Sequence, residues 1–233
     1  FFGVNKMKKV LFLLSFASFV MSMNLYGFST KSEFFLVRSR YLNKIEGWCT
    51  DEKAELIVDL VLKTKPTVCV EIGVFGGASV IPFASALKIN QQGFIYAIDP
   101  WSNAECLENY ENMNDPNYAW WSKVDLNYVY HSYLAMIRKF EIIPYCKTMK
   151  MTSKDALHHI SEEIDILHID GNHSEESSSF DVYNYFPKVK KGGYVLFDDA
   201  NWATTTKAYQ YLEERCEIIK KVDNGNCVLF KKQ

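Results

Sequence analysis

Histidine is scarce in this chain of 233 residues: there are five. The six cysteines, at 49, 69, 106, 146, 216 and 227, form no C-x-x-C pair, and no H-E-x-x-H occurs. A zinc site therefore has no support. G-x-G-x-x-G is absent, and no glycine loop runs into the Lys-Ser/Thr of a P-loop. Net charge is only −2, so there is no basic surplus to meet a polyanion, and no nucleic-acid partner is expected. Neither an internal repeat nor a low-complexity segment is present. Cys69 sits inside an apolar strand and reads as a small core residue. The even cysteine count permits disulfides but is weak support in a chain this long.

What is present suits one α/β domain with an N-terminal extension. The chain is 48% apolar and 15% aromatic, enough for a full core. Met7-Lys8-Lys9 precedes an apolar run, Val10–Met23, that is broken only by small or polar residues. A basic start followed by such a run resembles a secretory signal. Continued through residue 28, the run nearly reaches the roughly 20 residues of a membrane span. Residues 1–29 are thus expected to be a signal-like or membrane-anchoring segment, with a tether through 10–28. Flanking lysines and arginines occur on both sides and leave orientation open. Residues 30–64 read as N-terminal helices and 65–233 as the main domain, with an irregular insertion at 101–122.

Within the main domain, strands and helices alternate. Thr67–Ile72, Phe94–Ile98, Ile142–Tyr145, Ile164–Ile169 and Tyr194–Phe197 read as strands. Two final strands, Glu217–Val222 and Cys227–Lys231, flank Asn224-Gly225, a strong hairpin signal. The expected fold is α/β: a Rossmann-like doubly wound sheet, mostly parallel, with one antiparallel strand in a C-terminal hairpin.

Chemistry gathers at the strand ends. Ile164–Ile169 runs into Asp170, and Tyr194–Phe197 runs into Asp198 and Asp199. Neighbouring strands lie about 5 Å apart, so three carboxylates would crowd the edge where open α/β sheets bind ligands. Crowded anions need a cation, a proton or a positive ligand among them. A divalent ion held by Asp170, Asp198 and Asp199 is one answer, and an all-carboxylate set suits magnesium, calcium or manganese. His173 is placed to act as a general base. The plainer alternative makes these residues helix caps, with Asn172 and Glu175 as a capping box. Glu71-x-Gly73-x-x-Gly76-Gly77-x-Ser79 lies between strand and helix, and Asp99 ends the next strand, where an acid can grip a ribose diol.

Four stretches, E-I-G-V-F-G-G-A-S, Y-A-I-D-P-W, H-I-D-G-N-H-S and K-K-G-G-Y-V-L-F-D-D-A-N-W, resemble the S-adenosylmethionine-dependent methyltransferases of the macrocin O-methyltransferase type. The resemblance covers about residues 67–202. It implies that Glu71, Gly73, Gly76, Gly77, Ser79, Asp99 and Ser153 hold S-adenosylmethionine, with Asp99 on the ribose and Ser153 near the adenine. It implies that Asp170, Asp198 and Asp199 bind a divalent cation such as magnesium, and that Asp170 can also serve as a base. The insertion at 101–122 falls where a substrate lid would be. The implied activity is metal-assisted O-methylation of a small hydroxylated acceptor such as a sugar. Two other readings remain at this point: a nicotinamide-dependent oxidoreductase and a non-catalytic exported binding module. Because the cofactor is cytosolic, the catalytic domain is expected in the cytosol.

Overall fold

The computed structural model describes residues 27–109 and 116–233. The leader or anchor expected at 1–29 falls almost wholly outside them. Of that segment Phe28 is described, buried against Phe34 and Phe140. Among the described residues no helix is long and apolar enough to cross a membrane.

Among the described residues seven strands form one sheet: β1 (Val68–Ile72), β2 (Phe94–Ile98), β3 (Cys146–Met149), β4 (Ile164–Ile169), β5 (Val189–Phe197), β6 (Cys216–Val222) and β7 (Cys227–Lys232). Their order is β3-β2-β1-β4-β5-β7-β6. Strands β1 to β5 pair in parallel, and β7 runs antiparallel to both of its neighbours. The doubly wound sheet with one antiparallel strand is therefore what forms. The third strand is a correction: Ile143–Tyr145 is a 3-10 turn containing Pro144, and the strand begins at Cys146. Proline has no N–H to give a sheet ladder, so the pairing starts after it.

Among the described residues the helices are α1 (Lys31–Ser39), α2 (Asp51–Thr64), α3 (Val80–Asn90), α4 (Asn103–Cys106), α5 (Pro116–Trp121), α6 (Leu126–Lys139), α7 (Ser153–Ala156), α8 (Glu175–Tyr185) and α9 (Thr206–Glu213). Thr30 begins α1 as a full capping box with Glu33. Thr50 begins α2, its hydroxyl accepting from the Lys53 backbone N–H. Lys65 ends α2 in the left-handed region at φ 49°, just before Pro66. Both sheet faces are covered. Ile57 and Val61 of α2, Phe83 of α3 and Tyr133 of α6 pack on one face. Val182 and Tyr185 of α8, with Ala208 and Leu212 of α9, pack on the other.

Sheet order reverses between β1 and β4, since β2 and β3 extend one way and β5 the other. The crevice at such a reversal is where doubly wound sheets take ligands. Gly73 makes the crevice compatible with close strand ends. Its φ is +84°, and a Cβ there would fall 1.9 Å from the Asp170 carbonyl oxygen.

Candidate active site

Strand register and pleat place the central groups. Glu71 of β1 sits opposite His168 of β4, and His168 sits opposite Leu196 of β5. Cys69, Ile166 and Leu196 all pack on the α2 side of the sheet. Side chains alternate along a strand, so two residues further on Glu71, His168 and Asp198 share that side. From above, α2 lowers Lys53 onto them.

The result is a buried polar chain. Ser79 Oγ donates to Glu71 Oε1 at 2.5 Å. Glu71 Oε2 lies 3.2 Å from His168 Nδ1, close enough for charge attraction but without hydrogen-bond alignment. His168 Nε2 meets Asp198 Oδ2 at 2.5 Å. Lys53 Nζ lies 2.6 Å from that same Asp198 oxygen and donates to Asp170 Oδ2 at 3.1 Å. Glu71 and His168 are fully buried, and the Lys53 side chain is 2% exposed. Isolated charges could not survive there, but alternating signs make the set tolerable.

Each ionisation follows from its neighbours. Burial pulls the His168 pKa down, but the Glu71 charge and the Asp198 hydrogen bond outweigh it and lift the value to about 9, despite Lys53 nearby. Burial also disfavours the Lys53 ammonium, yet Asp170 and Asp198 hold its pKa well above the usual lysine range. Asp198 is desolvated, which raises its pKa, but Lys53 and His168 together bring it below the ordinary carboxylate range. Asp170 goes the other way: desolvation and then the Asp198 charge raise it, against the pull of Lys53.

Asp199 leaves this group. Its φ of 53° turns the chain. Its Oδ2 pairs with His173 Nδ1 at 2.9 Å, and its Oδ1 accepts from Asn226 Nδ2 at 3.2 Å. His173 is thereby oriented, and its ring lies 4.8 Å from that of Trp202. Burial lowers the His173 pKa, but the Asp199 hydrogen bond and charge raise it overall. None of these residues is a helix cap. Ser174 caps α8, accepting from the Ser177 N–H. Asn172 instead accepts from the Ser174 N–H and points its amide nitrogen at the Glu108 carbonyl, 3.1 Å away, tying the strand end to the segment after α4.

A cavity of about 1210 Å³ opens over these strand ends. Pockets for small ligands usually measure roughly 300–1,000 Å³, so this one is at the large end of what such ligands need. Gly73, Ser79, Asp99 and Ser153 line it, as do Lys53, Asp170, His173, Asp198 and Asp199. Glu71, Gly76 and Gly77, expected on the cofactor, are outside the cavity wall. Glu71 lies beneath the loop, holding Ser79. Gly76 and Gly77 serve packing: a Cβ on Gly76 would fall 2.3 Å from the Glu46 carbonyl oxygen, and one on Gly77 would fall 2.6 Å from the Tyr133 ring. Asp99 does line the cavity, and its carboxylate also ties the glycine loop together. It accepts from the N–H groups of Val74 at 3.0 Å, Phe75 at 2.9 Å and Trp101 at 2.7 Å. A carboxylate offers about four lone-pair sites, so one is left for a ligand.

Two further features complete the wall. Asp181 of α8 is 3% exposed, and its Oδ1 has no hydrogen-bond partner. Burial pushes its carboxyl up to about 7, with some relief from the Ser153 side chain. Trp48, Phe75, Trp120 and Trp121 form an aromatic rim, with Trp48 stacked on Phe75 at 5.4 Å between centroids. The insertion helix α5 thus brings apolar surface to the cavity mouth.

Sequence reasoning missed Lys53, His168 and Asp181. Lys53 had a local signal: a basic residue in the first turn of a helix opposes the helix dipole and needs a reason. His168 had one as well, since it lies two residues before Asp170 and so shares its side of β4. Asp181 had none.

The divalent-ion expectation meets a competitor within the chain. Donor atoms of His168, Asp170 and Asp198 lie within 4.8 Å of one another. That spacing would suit a cation, but the Lys53 ammonium already contacts both carboxylates, and Asp199 is engaged elsewhere. This donor set does not fit a divalent ion alongside the lysine. Nor do the cysteines form a redox centre; all six are free thiols.

Comparison with known proteins bears on the fold and the family. Among curated sequences, the uncharacterized protein y4gI of Sinorhizobium fredii is 25% identical over 142 residues, which is 60% of this chain. The matched stretch spans only 14% of that relative's length. Among solved structures, the O-methyltransferase NovP has a TM-score of 0.59 at 21% identity, covering 78% of each chain. An O-methyltransferase from Bacillus cereus, in complex with SAH, has a TM-score of 0.56 at 12% identity, over 93% of this chain and 96% of its own. An SAH-bound methyltransferase of Podospora anserina, PaMTH1, has a TM-score of 0.58 at 12% identity, over 100% of this chain and 97% of its own. At these identities the likeness is one of fold. Residues 70–200, from the β1 strand through the Asp198–Asp199 pair, match the sequence profile described as a methyltransferase domain, and the chain belongs to that methyltransferase family.

Proposed function

We propose that this chain is an S-adenosylmethionine-dependent O-methyltransferase acting on a small hydroxylated acceptor such as a sugar. One observation carries the reading: a single cavity joins the Gly73–Phe75 loop and Asp99 to the Asp170 and His173 side chains. The first set suits a nucleoside and the second a hydroxyl that must lose a proton. Solved relatives of this fold are named as O-methyltransferases or bound to SAH.

Cofactor residues are chosen from those on the cavity. The Gly73–Phe75 backbone lets a ligand approach closely, Asp99 offers its remaining acceptor site to a ribose hydroxyl, and Ser153 lies toward the adenine. Glu71, Gly76 and Gly77 support this loop from behind. When bound, S-adenosylmethionine supplies an electrophilic methyl group.

The chain's own groups handle the acceptor. The acceptor hydroxyl reaches Asp170, whose raised pKa makes it a better proton acceptor than an ordinary surface aspartate. His173, held by Asp199, is the second group able to take that proton. Lys53 places a positive charge beside the oxygen as it becomes negative. The aromatic rim excludes water and strengthens these interactions.

Titration calorimetry with S-adenosylmethionine, followed by a methyl-transfer screen of hydroxylated acceptors, tests the proposal. Saturable one-to-one binding and transfer to oxygen are expected. Absence of any cofactor binding by the folded protein would sink it.

A further inference from the structure

We propose that the cation of this acidic cluster is the Lys53 ammonium, and that the cavity takes up no divalent metal ion. The sheet edge presents Asp170 and Asp198 side by side, and such a pair requires positive charge. Lys53 provides it from α2, at 3.1 and 2.6 Å. A divalent ion would bind the same carboxylate oxygens at roughly 2.0–2.6 Å. It would then sit against an ammonium already in contact with those oxygens, and like charges at that range repel strongly with little water between them.

The lysine cannot easily step aside. Its helix is anchored on the core through Ala54, Ile57 and Val58. The start of the helix is fixed twice more, by Arg38 on Asp51 and by the Thr50 hydroxyl on Asp223. The side chain is 2% exposed, so leaving the carboxylates would strand a buried charge. His168 completes the balance by pairing with Asp198 from the opposite side. The cluster is thus neutralised by the chain alone, and the acceptor oxygen meets a fixed single charge where a metal would otherwise stand.

This deepens the proposed methyl-transfer site and rests on it for the role of the acceptor, but its test does not require the cofactor. The whole chain is titrated with Mn2+ and followed by electron paramagnetic resonance and by thermal shift. No saturable uptake is expected. Lys53→Met removes the charge at similar length, so the carboxylates and His168 become free to bind. That variant is expected to gain one Mn2+ site, with a rise in melting temperature, and to lose both when Asp198→Asn is added. One-to-one Mn2+ uptake by the wild type, abolished by Asp170→Asn, would overturn the proposal. So would a folded Lys53→Met protein that gains no site. Should that variant not fold, the wild-type titration still decides. A wild type that binds neither Mn2+ nor S-adenosylmethionine would refute the proposed function and leave the lysine assignment standing.

Discussion

His168 is held between two carboxylates, with Nε2 2.5 Å from Asp198 Oδ2 on one side and Nδ1 3.2 Å from Glu71 Oε2 on the other. A fully buried imidazole so placed is a cation in the folded chain. Its charge lies between the residue beneath the glycine loop and the acidic cluster, hydrogen-bonded to Asp198 and attracted to Glu71.

Stability should therefore depend on pH through His168. Its folded pKa, about 9, lies above the ordinary 6.5. A raised value means that the stabilisation is complete below pH 6.5 and lost as pH climbs through 9. The full loss is on the order of 3 kcal/mol, at about 1.4 kcal/mol per unit. Urea unfolding across this range should show the decline, and His168→Gln should be less stable at low pH with a flatter curve. A wild-type profile that is flat from pH 6.5 to 9 would contradict the charged assignment.

Asp181 gives a separate window. Burial raises its carboxyl from 3.8 to about 7, so the folded state prefers the neutral acid. Stability contributed by that preference is present below pH 3.8 and fades as pH rises toward 7. Asp181→Asn cannot ionise and should be the more stable protein at pH 8. A gain of about 1–3 kcal/mol is expected once the altered hydrogen bonding is set against relief of the buried charge. Lower stability than wild type at pH 8 would show that the folded state favours the ionised carboxylate and contradict the raised pKa.

Asp99→Ala should weaken S-adenosylmethionine binding by roughly 1.5–3 kcal/mol, the range for hydrogen bonds to a charged group. The Val74 and Phe75 N–H groups also lose their acceptor, so the loop itself should loosen. Calorimetry reads the first effect, and hydrogen exchange at residues 73–77 reads the second. Unchanged affinity would remove Asp99 from the cofactor site.

Asp170→Asn should separate chemistry from binding. If Asp170 receives the acceptor proton, turnover should fall by about 10²–10⁴-fold. Cofactor affinity should change little, because the proposed role of Asp170 is toward the acceptor. Comparable losses in both would instead make Asp170 a structural support for the crevice. Turnover preserved in Asp170→Asn but lost in His173→Ala would transfer the base role to His173.

Much of the fold follows from local pattern. Phe94–Ile98 and Ile164–Ile169 are apolar runs bounded by turn residues and polar strand ends, and both form strands with those bounds. The Asn224-Gly225 turn joins the final antiparallel pair because its residues accept positive φ. Ile142–Tyr145 misled because apolar residues around a proline mimic a strand, and only the missing N–H excludes the pairing.

At the site, the sequence determined that acids end β4 and β5, that glycines follow β1, and, through the two-residue pleat, that His168 and Asp170 share one side. Tertiary structure decided what neutralises them. Lys53 and Asp170 are 117 positions apart, and no local periodicity states which sheet face α2 will cover. Only after α2 buries Ile57 and Val61 on that face does its first turn lie over the strand ends. The charge that a strand-end pattern demands is then met by a lysine from another element, because hydrophobic packing, which is non-directional, chose where that lysine would stand.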